Sequence, residues 1–174
     1  MNVAITGHQN LGSTATRDWI ATTLEDVVKD LTITKGYTCL AIGADQLFAE
    51  ILYRKSVPFV AVLACSKIEA SFTSEEGKKT FRQLLAQASN SITLSYEDPS
   101  EEAYFEAGKT VVEQSDLLIA VWNGHSARGL GGTADVVNYA RKNKKKVIHI
   151  NLESRQVIQI GNEQQAERKE SVDR

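Results

Sequence analysis

The sequence predicts an α/β fold, a three-layer sandwich around a mostly parallel sheet of about six strands. Short apolar runs alternate with longer amphipathic stretches, which implies strand–helix–strand crossover units. The run at residues 117–121 is apolar without interruption, the pattern of a strand covered on both faces. The chain has 174 residues, 42% of them apolar, which suits one domain with a substantial core.

The elements follow in order. Residues 3–6 are a β-type run that stops at Gly7. Ser13 or Thr14 can cap a helix carrying Trp19, Ile20, Leu24, Val27, Val28 and Leu31 along one stripe. Residues 37–42 form a second strand ended by Gly43, and Asp45 starts a helix with Leu47, Phe48, Ile51 and Leu52. Pro58 ends that connection before a third strand at 59–63, and residues 65–73 read as a loop. Ser74 can cap a polar helix at about 75–88, and residues 92–94 are a short fourth strand. A helix at about 100–115 leads into the strand at 117–121. A glycine-rich loop then precedes a helix with Val136, Val137, Tyr139 and Ala140, and residues 147–150 are the sixth strand. The domain is expected to span 1–152, with 153–174 as a polar tail. Within that tail, residues 157–160 could instead form an edge strand.

Composition narrows the function. Lys plus Arg number 20 and Asp plus Glu 22, a net charge of −2. With no basic excess, nucleic acid is not an expected partner, and neither is an anionic membrane. Residues 1–6 lack the basic start and long apolar stretch of a signal peptide, so the cytoplasm is the expected compartment. Cys39 and Cys65 fit no disulfide framework, no His/Cys/carboxylate cluster has metal-ligand spacing, and no cofactor is implied. Cys65 has no evident His partner for nucleophilic work, and the basic run from Arg141 to Lys146 suits a solvated helix end.

In an open parallel sheet, ligands bind beyond the carboxyl ends of the strands. The glycine-bearing and polar loops of this chain fall there: Gly7, His8 and Gly12 after the first strand, Gly43, Ala44 and Asp45 after the second, and the stretch from Trp122 to Thr133 after the fifth. In that last loop Gly129, Gly131 and Gly132 carry no β-carbon just before a helix, whose first amides and positive dipole end suit a phosphate. Thr133 adds a hydroxyl and Arg128 a mobile positive charge; the bland alternative is a tight turn capped by Thr133. Asp135 either complements the helix dipole or meets ribose hydroxyls. His8 reads first as a hydrogen-bonding loop residue and Asp45 first as a cap, with a ribose contact as its alternative. Trp122 and Tyr104 can stack on a base or serve as walls.

These motifs resemble the SLOG superfamily of Rossmann-like proteins. The resemblance rests on Ile5, Thr6, Gly7 and His8, on the run from Gly43 to Leu47, on the run from Ser115 to Trp122, and on the run from Gly131 to Asp135. It covers most of residues 3–150, in order, and is nearest to the small stand-alone bacterial members. It implies a pocket for a nucleotide or nucleotide-derived molecule. The phosphate would lie against Gly131, Gly132 and Thr133, and Gly7 and Gly43 would line the cleft. Some SLOG proteins cleave the N-glycosidic bond of nucleoside monophosphates, others sense nucleotide-like signals, the DprA-like ones process DNA, and many pair as homodimers.

The cleaving group carries a Pro-Gly-Gly-x-Gly-Thr-x-x-Glu motif and an arginine–lysine pair on the helix before the fifth strand. Here the proline is absent, Asp135 is the nearest carboxylate, and the helix reads Glu106, Ala107, Gly108, Lys109. The expected function is therefore a sensor or ligand-binding module. The residues expected to bind are Gly7, His8, Gly12, Gly43, Ala44, Asp45, Trp122, Asn123, Arg128, Gly131, Gly132 and Thr133. The alternative is a phosphoribohydrolase-like N-glycosidase with Asp135 or Asp45 at the sugar centre.

Overall fold

The computed structural model describes residues 1–126 and 129–160. Seven strands form a single sheet in the order β4-β3-β2-β1-β5-β6-β7. The strands are β1 (Asn2–Gly7), β2 (Lys35–Thr38), β3 (Phe59–Leu63), β4 (Asn90–Thr93), β5 (Leu117–Trp122), β6 (Lys146–Asn151) and β7 (Gln156–Ile160). All neighbouring pairs are parallel except β6–β7. The helices are α1 (Thr14–Asp30), α2 (Ala44–Arg54), α3 (Glu75–Gln87), α4 (Glu101–Glu113) and α5 (Thr133–Lys142). The α/β class holds, with one strand more than expected.

Right-handed crossovers fix the layers. The chain steps from β1 outward through β2 and β3 to β4, which sets α1, α2 and α3 side by side on one face. It then returns past β1 to β5 and steps out to β6, which sets α4 against α5 on the other. The central strands β3 and β5 are sandwiched and buried along nearly their whole length, as their unbroken apolar runs require. Phe48, Ile51 and Leu52 of α2 and Ile20 and Leu24 of α1 fill one interlayer; Val111, Val112, Val136 and Val137 fill the other.

Three helices begin at a serine whose hydroxyl accepts an orphan amide: Ser13 from Thr16, Ser74 from Gly77 and Ser100 from Ala103. The other two, α2 and α5, begin at Gly43 and Gly132 and have no side-chain cap. Those two glycine starts flank the functional end of the sheet.

Several boundaries differ from the sequence reading, among them β4 at Asn90–Thr93 and a 3-10 turn at Ile68–Ser71 inside the expected loop, and two differences are larger. β2 stops at Thr38, four residues early, because Leu40 takes a left-handed φ of 56° and the chain turns there. Beyond residue 152 the sheet continues: Val157 pairs with Ile150 and Ile160 with Val147, so the edge-strand alternative describes residues 156–160. The rest of the expected tail, 161–174, lies outside the described residues. Among the described residues no helix is long and apolar enough to cross a membrane.

Candidate functional site

β1 and β5 are neighbours, yet the chain leaves them in opposite directions along the sheet, so their carboxyl ends mark the switch point at which a crevice must open. A cavity of about 600 Å³ occupies it. Loops after β1, β2, β3 and β5, the flank of α4 and the start of α5 enclose it.

The β1 loop is held by its backbone. The His8 amide donates to Val121 O at 2.9 Å, and the His8 carbonyl accepts from the Ala44 amide at 3.2 Å. His8 and Gly7 line the cavity, together with Thr6 and Gln9. Gly7 is glycine for packing: a β-carbon there would stand 2.4 Å from Ala44 Cβ and 2.8 Å from Val121 O. Gly43, at φ 92°, crosses so close to the β1 loop that a β-carbon would meet His8 O at 2.4 Å. Gly43 and Ala44 thus pin the β1 loop from behind, and Gly12 turns the chain into α1; none of the three is among the cavity-lining residues.

After β5, Trp122 and Asn123 line the cavity, joined by His125 and Ser126. Trp122 Nε1 donates to His125 O at 2.8 Å, and its ring packs on His149 with centroids 4.5 Å apart. Asn123 Oδ1 accepts from the His125 amide, and its amide group donates to Glu153 Oε1. The rim is therefore tied to the sheet end through an indole and two amides. Arg128 lies outside the described residues.

Gly131, Gly132, Thr133 and Ala134 form the wall at the start of α5. Gly131 takes φ 85°, and a β-carbon on it would stand 2.9 Å from both Glu101 O and Phe105 N, so this loop needs glycine to lie against α4. The Gly131 amide donates to Asp135 Oδ2 at 3.0 Å. The amides of Gly132, Thr133 and Ala134 have no protein acceptor among the described residues. They point the positive end of a ten-residue helix at the hollow. Asp135 is thus a loop-holding carboxylate in the first turn, and it is not among the lining residues.

Asp45 is 5% exposed and lies behind the wall. Its Oδ2 accepts from Thr38 Oγ1 at 3.2 Å and from the Cys39 amide at 3.0 Å, so it closes the β2–α2 turn instead of capping α2. Burial raises its carboxyl from 3.8 to about 7, against the lowering effect of those hydrogen bonds. Gln46 Nε2 adds bonds to Leu40 O and Gly77 O, both at 3.2 Å, and the turn so held presents Cys39, Ala41 and Ile42 to the cavity. Burial, with the Asp45 charge, pushes the Cys39 thiol well above its ordinary range, which keeps it protonated and unreactive.

Sequence reasoning missed the apolar wall after β3. Ala64, Ile68 and Phe72 follow β3, and Phe72 is fixed by Phe81 of α3 at a ring distance of 5.0 Å. They lie in a stretch without periodicity, where no sequence pattern marks a wall. Ala107 of α4 completes it, beside Tyr104, which the sequence does offer as a wall. Lys109 instead pairs with Glu106 and lies over the Phe105 and Tyr139 rings, outside the lining. Among the described lining residues there is no Asp, Glu, Lys or Arg. Among the described residues no cluster of His, Cys, Asp or Glu is placed to hold a metal. The site combines a helix start and hydroxyl, amide and imidazole groups with apolar lining from Ile42, Ala64, Ile68, Phe72 and Ala107.

No family model matches the chain, and neither does any curated protein. Solved structures do share its fold. DNA processing protein A from Helicobacter pylori, described in its single-stranded DNA binding mode, superposes with a TM-score of 0.63 at 18% identity over 86% of this chain and 64% of that one. DNA processing protein A (DprA) from Streptococcus pneumoniae gives 0.60 at 14% identity, over 85% of this chain and 49% of that protein. A molybdenum cofactor binding protein from Rippkaea orientalis gives 0.56 at 16% identity, over 86% and 76%. The chain thus spans about two thirds and about half of the two DNA processing proteins. These likenesses bear out the Rossmann-like α/β fold that the resemblance implies.

They also correct one expectation. The acidic balance argues against a nucleic-acid partner, yet two proteins of this fold are DNA processing proteins, and one is described binding single strands. A net charge averages over the whole surface, whereas a nucleic acid meets one local patch. Here Arg141, Lys142, Lys144 and Lys146 are all exposed around one turn. The overall balance is no ground for excluding such a partner.

Proposed function

We propose that the chain binds a nucleotide or nucleotide-derived small molecule in the cavity at the carboxyl ends of the parallel strands, as a sensor or ligand-binding module. The observation that carries this reading is the start of α5. Amides without a protein acceptor among the described residues border a 600 Å³ hollow that is also lined by apolar side chains of the loop after β3 and of α4. A phosphate suits the first feature and a flat base the second. Gly131, Gly132 and Thr133 with the β1 loop would hold the phosphate; Ile42, Ile68, Phe72 and Trp122 would flank the base. That neighbouring structures include a cofactor-binding protein agrees with a small-molecule role for the fold.

The alternative, hydrolysis of an N-glycosidic bond, needs a carboxylate at the sugar carbon. Asp135 holds the Gly131 amide and Asp45 is enclosed behind the β2–α2 turn, and neither is among the lining residues. That arrangement favours binding.

Calorimetric titration with 5′-mononucleotides, 3′,5′-cyclic nucleotides and ADP-ribose tests the reading. Binding by at least one is expected, lost in Thr133→Asp. That change puts a negative charge among the free amides while suiting the helix start. No binding by any probe, or binding that Thr133→Asp leaves intact, overturns it. So does binding confined to single-stranded oligonucleotides. Release of free base on incubation would establish the alternative.

A further inference from the structure

We propose that binding of an anion in the cavity is coupled to uptake of a proton by Asp45, so that the site holds its ligand more tightly as the pH falls. The inference rests on the binding reading above and deepens it.

The geometry is a carboxylate one backbone amide behind a cavity wall. Asp45 Oδ2 takes the amide of Cys39, and Cys39 lines the cavity. The carboxylate is 5% exposed, and its partners are neutral donors, the Thr38 hydroxyl and the backbone of Cys39 and Ala41; no cationic side chain among the described residues bonds to it. An ionised carboxylate so placed and a ligand anion repel through a medium that screens poorly. Protonation removes the repulsion and keeps an acceptor for the Cys39 amide, since a neutral carboxyl retains its carbonyl oxygen. The proton comes from solvent and resides on the carboxyl, with no other bond made or broken. With the carboxyl already raised to about 7, a modest further push from a bound anion moves it across neutrality.

The surrounding groups leave Asp45 as the titrating partner. β1 and β3 carry no ionisable side chain; β2 carries Lys35 at its far end and the buried Tyr37, and the Cys39 thiol that follows β2 stays neutral. On α1, Glu25 is engaged with Arg54 and Lys55 at the opposite end of α2. On α3, Glu75 and Glu76 are exposed, and Glu75 pairs with Lys78. His8 and His125 do line the cavity, and their protonation would give a slope of the same sign, so the experiment must separate them.

The test is calorimetry on the full chain from pH 6 to 8.5 with 3′,5′-cyclic AMP, a phosphodiester, and ADP-ribose, a pyrophosphate diester, whose charges are constant in that range. The expected result is an affinity falling about five- to tenfold across the range, with uptake peaking at about half a proton per ligand near pH 7.5, read from buffers of different ionisation enthalpy. The fall and the uptake should vanish in Asp45→Asn. Should that variant not fold, the His8→Gln/His125→Gln double variant decides, since the slope must persist in it. A flat profile overturns the coupling while leaving the binding reading intact. A slope that survives Asp45→Asn, or disappears with the two histidines, also overturns it. Absence of binding by every probe at every pH removes both.

Discussion

Asp135 Oδ2 accepts a hydrogen bond from the Gly131 amide at 3.0 Å, so the first turn of α5 reaches back and takes one of the amides that the glycine loop frees. The bond has two consequences of opposite sign for a phosphate. It fixes the loop that shapes the cradle, and it leaves a negative charge beside it. Asp135→Asn keeps an acceptor and removes the charge; it should leave the melting temperature nearly unchanged and tighten phosphate probes by ~3–10-fold. Asp135→Ala loses the acceptor, and should cost about 1–2 kcal/mol of stability while weakening the same probes. Thermal melts and titration of the two variants side by side check both signs.

Gly43 and Gly12 both sit at positive φ, 92° and 82°, yet their surroundings differ. A β-carbon at Gly43 would meet His8 O at 2.4 Å and Gln9 O at 2.5 Å, both backbone atoms that cannot move without shifting the β1 loop. At Gly12 the nearest neighbours are Thr16 atoms at 3.6 Å. Gly12→Ala should therefore cost only the conformational strain, about 1 kcal/mol. Gly43→Ala should cost about 3 kcal/mol or more and perturb the cavity with it. Urea unfolding of the two variants gives the comparison.

The same glycines show what a sequence can and cannot disclose. β3 and β5 were legible because an unbroken apolar run has few other uses, and the caps at Ser13 and Ser74 because a hydroxyl before a helical stripe has one favourable position. Gly7 and Gly43 were legible as special but not in kind: close approach of a ligand and close approach of the protein's own backbone leave the same residue type. Here Ala44, Val121 and His8 fill the space. The early end of β2 depends on Asp45 taking the Cys39 amide and Gln46 bonding the carbonyl of a left-handed Leu40, side-chain contacts six residues apart that no strand or helix propensity encodes. Phe72 joins the cavity wall through Phe81 of the next helix, again a tertiary fact. Around the site, the residues fixed by local chain chemistry could be read, and those brought in by packing could not.

Asp45 also sets a pH dependence of folding that needs no ligand. Its carboxyl lies near 7 in the folded chain and near 3.8 when unfolded. Between those values the folded state binds the proton more tightly, so stability falls as the pH rises; the advantage is complete below about 4 and gone above about 7. The slope from this one group can reach about 1.4 kcal/mol per pH unit. Chemical denaturation at pH 4.5, 6 and 7.5 should show the native chain losing stability relative to Asp45→Asn across that window. Parallel curves for the two would mean that the buried carboxyl titrates in its ordinary range.

Trp122 offers an optical readout of the cavity. The chain has two tryptophans, and only Trp122 lines the hollow; Trp19 belongs to α1. The Trp122 ring stacks on His149, and its Nε1 donates to His125 O at 2.8 Å, which holds the 123–126 rim against the end of β5. A ligand base meeting the apolar lining changes the surroundings of that indole, so binding should alter the intrinsic fluorescence of the native chain. Trp122→Phe keeps an aromatic ring against His149 and loses the bond to the rim. Its emission, from Trp19 alone, should not respond to ligand. Loss of one neutral hydrogen bond that holds the rim should weaken binding by about 2–10-fold, with stability changed by about 1 kcal/mol or less. A ligand-dependent signal that persists in Trp122→Phe would move the binding site away from the end of β5.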